Sequence, residues 1–176
     1  MSANWRISSI SGALIAAYFI PTWTMVAFKI MISPIHGLYE RPNISVALFI
    51  SDHLQLAGMA TVRMAWLLAL GKLTVVAFFA IFLVFLARAA LRKGGGAGEP
   101  LAMALSIGSV ISFASMLMAS DVGETAALRL HATELLMLLG TAIVMLTERP
   151  TQAAPQIQQR PASDLSLGQT QLLDNR

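Results

Sequence analysis

The chain has 176 residues, of which 56% are hydrophobic and only 12% charged, against about 25% charged in an ordinary soluble domain. Its net charge of +3 comes from basic residues that are scattered or sit at the ends of apolar runs, which argues against a nucleic-acid surface. Cysteine is absent, so disulfides, thiolate metal sites and thiol catalysis are excluded. The expected class is an all-α integral membrane protein: a four-helix transmembrane bundle over residues 1–146, an extra interfacial or re-entrant amphipathic helix, and a disordered C-terminal tail.

An apolar run from Ile7 to Met31 follows a short polar start carrying Arg6. It continues past any small-residue cleavage site through Tyr18, Trp23 and Phe28, and so reads as an uncleaved span with a proline, Pro21, in its middle. Residues 33–42 (SPIHGLYERP) hold two prolines and a glycine and read as a loop. Asn43 is placed as the N-cap of an amphipathic segment over 44–60, whose Ser45, Asp52 and Gln55 share one side with Arg63. That segment is too polar for a confident span, and is expected to lie at the interface or re-enter.

Residues 62–91 form the strongest span, an apolar run broken by Lys72 and closed by Arg88, Arg92 and Lys93 before Gly94-Gly95-Gly96. Pro100 opens a third span over 101–119, where Ala104, Gly108 and Ser112 recur every four residues as a small-residue packing seam. An acidic turn (SDVGET) leads into a fourth span over 126–146. Residues 147–176 turn abruptly polar, and such a composition cannot offset its ordering entropy.

The basic cluster after the second span orients the rest, because cytoplasmic loops are enriched in Lys and Arg. With it inside, the acidic turn faces out, and both termini are cytoplasmic in a bacterial-type inner membrane. Lys29, Arg41 and Arg63 are exceptions on the outer side, partly balanced by Glu40 and Asp52. Were 44–60 to cross as well, there would be five spans and the N-terminus would lie outside.

This topology gathers Asp52, His53, Arg63, Arg129, His131 and Glu134 in the outer half of the bundle as a candidate polar site. Lys72 and Glu134 lie roughly 13 to 15 Å along two helices that run the same way. Each is costly alone in hydrocarbon, so they are expected to face each other as a buried pair with the second and fourth spans adjacent. His131 and Glu134, three apart on one helix face, could ligate a divalent metal with Asp52 and His53, and His53 with His131 could hold a b-type haem. His-x-x-Glu recurs by chance and two histidines do not make a haem site, so no cofactor is expected.

No G-x-S-x-G, P-loop, dinucleotide fingerprint or HExxH is present. The leading expectation is therefore an accessory or interaction subunit of a membrane complex, embedded in the lipid bilayer and bound to a membrane-protein partner or to itself. The alternatives are a metal- or haem-binding redox protein built on the outer polar cluster, and a small proton- or solute-coupled transporter. The last gains nothing from the charge-free stretch Thr74 to Ala87.

Overall fold

The computed structural model describes residues 7–88 and 98–148. In chain order it forms α1 (Ile7–Ile32), α2 (Pro34–Leu38), α3 (Ile44–Phe49), a π-helical turn (Ile50–Leu54), α4 (Gly58–Ala87), α5 (Gly98–Asp121) and α6 (Thr125–Thr147). Among the described residues every regular element is helical. Four of them, α1, α4, α5 and α6, are long and apolar enough to cross a membrane. Arg92, Lys93, the Gly94–Gly96 run and residues 149–176 of the expected tail lie outside the described residues, whereas Thr147 ends α6 and Glu148 caps it.

The segment expected over 44–60 is shorter than that. Helix Ile44–Leu54 rises only about 16 Å, well below the length a span needs. It ends where Gln55 enters the left-handed region at φ 44°, and extended Ala57 leads into α4, which therefore starts at Gly58. The π turn also changes the helical phase. Ser45, expected on the polar side with Asp52 and Gln55, is buried, while Asp52 and Gln55 are exposed.

The long helices form a ring in which α1 packs on α4, α4 on α5, α5 on α6, and α6 closes on α1. Helices α4 and α6 thus lie across a diagonal, and the expected adjacency of the second and fourth spans does not hold. Helices α2 and α3 fold over one end of the ring, α2 against α1 and α4, α3 against α5. Two apolar clusters result. One, with Ala27, Ile30, Leu38, Val46, Ile50 and Ala69, fills the capped end; the other, with Phe19, Val75, Phe79, Phe82, Leu105 and Leu138, fills the rest.

Close approach depends on small residues. A Cβ added at Gly108 would lie 3.3 Å from Leu138 and 3.6 Å from Val75, so the seam of Ala104, Gly108 and Ser112, all buried, is spent on contacts within the ring. Gly37 is tighter still, with its added Cβ 2.7 Å from the Ile30 backbone nitrogen. Gly37→Ala should consequently push α2 off α1 and destabilise by about 1–3 kcal/mol, whereas Gly58→Ala, with open space around its Cβ, should be neutral or stabilising. Thermal unfolding of both variants in detergent checks the contrast.

Candidate functional site

The ring's contacts set the depth of its polar residues. Gly108 on α5 stands level with Val75 on α4 and Leu138 on α6. One turn toward the capped end, each helix carries a buried polar side chain: Lys72, Ser112 and Glu134. Trp23 of α1 joins them, 2% exposed and stacked edge-on against Phe19 at 5.0 Å. A polar layer therefore lies between the two apolar clusters.

Its hydrogen bonds centre on the Trp23 indole. Nε1–H donates to Glu134 Oε1 at 3.1 Å, and the ring face carries the Lys72 ammonium, whose Nζ is 5.5 Å from the centroid. Glu134 Oε2 lies 3.0 Å from His131 Nδ1. An ionised carboxylate only accepts, and toward one the His131 ring would donate from Nδ1. Among the described residues Nε2 is buried with no partner, as are the hydroxyls of Ser45 and Ser112.

Lys72 Nζ donates to Asn43 Oδ1 at 2.8 Å, and Asn43 Nδ2 donates to the Gly37 carbonyl at 3.1 Å. Asn43 is 1% exposed and makes no capping bond with its side chain, so the expected N-cap is instead the acceptor for the buried lysine. Lys72 and Glu134, 3% and 6% exposed, do not touch as an ion pair; they meet the face and the N–H of one indole.

Beyond the layer toward the open end, Phe19 stacks on Phe79 at 5.8 Å and Leu138 is fully buried. Further polar contacts join α1 to α6 past this apolar block, Ser11 Oγ to Thr141 Oγ1 at 3.1 Å and the Ser8 amide to Glu148 Oε2 at 2.9 Å.

Comparison with protein-family models, curated proteins and solved structures finds no match for the chain.

The six residues of the expected polar cluster do not converge. His131 and Glu134 are in the layer. His53 lies on the π turn, half exposed, stacked on Phe49 at 4.9 Å and 3.0 Å from Asp121 at the end of α5. Asp52 is exposed, Arg63 lines an apolar groove on α4, and Arg129 is exposed on α6. Among the described residues no three His, Asp or Glu side chains gather as a metal site. Both Glu134 carboxylate oxygens are engaged, Oε1 by Trp23 and Oε2 by His131.

A second feature lies on the outside of α6. Ala126, Thr133, Gly140 and Thr147 are spaced by seven, and Arg129, Leu136 and Ile143 alternate with them; all seven are exposed. A Cβ at Gly140 would meet nothing within 4 Å.

Trp23→Phe keeps an aromatic face under Lys72 and removes only the N–H donor. In a double-mutant cycle it should couple to Glu134→Gln by about 0.6–1.7 kcal/mol, the range for interhelical hydrogen bonds in membranes. Lys72→Met should couple to Glu134→Gln less strongly, because those groups do not touch. Unfolding titrations of the single and double variants provide the comparison.

Proposed function

We propose that the protein is a four-span integral membrane protein of a bacterial-type inner membrane, both termini cytoplasmic, acting without catalysis as an interaction subunit. Its last helix pairs with a helix of a membrane-protein partner or of a second copy. The observation that carries this is Gly140 and its heptad.

A glycine inside a helix costs about 1 kcal/mol relative to alanine, and Gly140 serves no contact within its own ring. Small residues every seven positions with larger ones between them make a seam for a left-handed helix pair. The internal small-residue seam is already occupied by α4 and α6, whereas the outer face of α6 offers a second such seam that is exposed. The four-span reading is supported by helix lengths and by the short 44–54 segment; the orientation is supported by the basic residues that follow α4.

His131 Nε2, buried without a partner, favours a second reading in which the layer binds a proton or a small polar ligand. An absorption spectrum and elemental analysis of the purified protein separate it from a haem or metal protein.

Two measurements check the main reading. Reporter fusions after Gly96 and Arg160 should read cytoplasmic, and fusions at Gly37 and Gly123 should read external; two cytoplasmic signals at the latter positions would refute the topology. In mild detergent the protein should run as an oligomer or complex that Gly140→Leu dissociates and Gly140→Ala weakens little. A strictly monomeric wild type with no co-purifying protein would refute the association.

A further inference from the structure

On the side of α4 beside the end of α1, a groove of about 630 Å³ runs from Val62 to Leu73. Val62, Trp66, Leu70 and Leu73 recur at three- and four-residue intervals along one face of α4, and Met31 contributes from α1. Among the described residues Arg63 is the only charged one lining it. Eleven residues of rise make the groove about 16 Å long, close to half of a roughly 30 Å hydrocarbon core, which is the depth of one leaflet.

Arg63 stands at the groove end nearest the start of α4, where a lipid headgroup would lie. It is exposed and has no hydrogen bond or ion pair among the described residues, whereas Lys29 at the same end of the ring is neutralised by Glu40 at 2.8 Å. The positive-inside rule does not account for an unpaired arginine on the face assigned to the outside. An apolar groove one leaflet deep with a free guanidinium at its mouth calls for a ligand with one hydrocarbon chain and one oxyanion at its head.

We infer that the α4 groove binds one anionic phospholipid, its phosphate held by the Arg63 guanidinium and an acyl chain laid along Val62 to Leu73; this rests on the membrane reading above. Guanidinium suits the task because its fork matches two phosphate oxygens. A partner helix would supply hydrocarbon but leave Arg63 without an anion. A second copy docked about a two-fold axis would oppose Arg63 to Arg63. The groove belongs to α4, across the ring from the α6 seam, so both surfaces operate independently.

The test reconstitutes the full chain into vesicles of mixed phosphatidylglycerol and phosphatidylcholine, then measures lipid retained after detergent extraction by native mass spectrometry. Wild type should retain one phosphatidylglycerol with a preference of about five-fold, the factor one basic residue near a membrane surface supplies. Arg63→Gln should abolish the preference, and Leu70→Trp, an exposed position that fills the groove, should lower retention of both lipids. Arg41→Gln, the same charge change away from the groove lining, should leave the preference intact. A preference unchanged in Arg63→Gln overturns the proposal, as does a Leu70→Cys variant that disulfide-links two chains. A chain that fails to enter vesicles overturns the membrane reading itself, a result distinct from either.

Discussion

Two opposite charges in an apolar interior must each find a partner, and in this protein one indole serves both. Charged side chains at the centre of a hydrophobic span cost about 2.5–3.5 kcal/mol each on insertion scales. Trp23 presents a π face to the Lys72 ammonium and an N–H to the Glu134 carboxylate. A phenylalanine would offer the face without the donor; the indole supplies both. The consequence is topological: α1 must reach both α4 and α6 at one depth, which fixes it beside both in the ring and leaves those two helices on the diagonal.

The capped end follows from the same requirement. Trp23 satisfies Lys72 only as a cation over a ring, and its N–H donors still need an acceptor in a place without water. Asn43 supplies that acceptor, and it can do so only because α2 and α3 fold back over the ring and bury it. Gly37 makes the fold-back possible twice over: its lack of a side chain lets α2 lie against the backbone of α1, and its carbonyl accepts the Asn43 amide. In a membrane the driving force for helix contact is close packing and hydrogen bonding rather than water exclusion. Gly12 and Gly108 serve the packing, bringing α1 close to Leu101 and Phe82, and α5 close to Leu138 and Val75.

Much of this was legible in the residues. Lengths and apolar runs indicated four long helices, and the depth arithmetic put Lys72 and Glu134 at one level. The burial of both followed from the cost of charge. What periodicity could not disclose was how the helices are ordered around the ring, so direct contact between the two charges was the simplest guess. Trp23 carried a signal, since an indole so far inside a span needs a partner for its N–H. Asn43 carried a misleading one, because asparagine before an apolar helix reads as a cap unless a buried lysine competes for it. Asp52 and His53 share an end of the bundle with His131 but point elsewhere, since the π turn and the fold-back of α3 set directions that periodicity does not encode, while Arg63 and Arg129 stand on exposed faces of α4 and α6.

The arrangement around Trp23 is open to direct observation. With Trp5 and Trp66 replaced by phenylalanine, Trp23 is the only tryptophan left in the chain, and its fluorescence reports its own surroundings. A buried indole held between an ammonium and a carboxylate should resist quenching by iodide from water, and its emission should shift in both Lys72→Met and Glu134→Gln. Ready quenching, or an emission maximum that neither substitution moves, would contradict the shared indole and with it the helix order that depends on it.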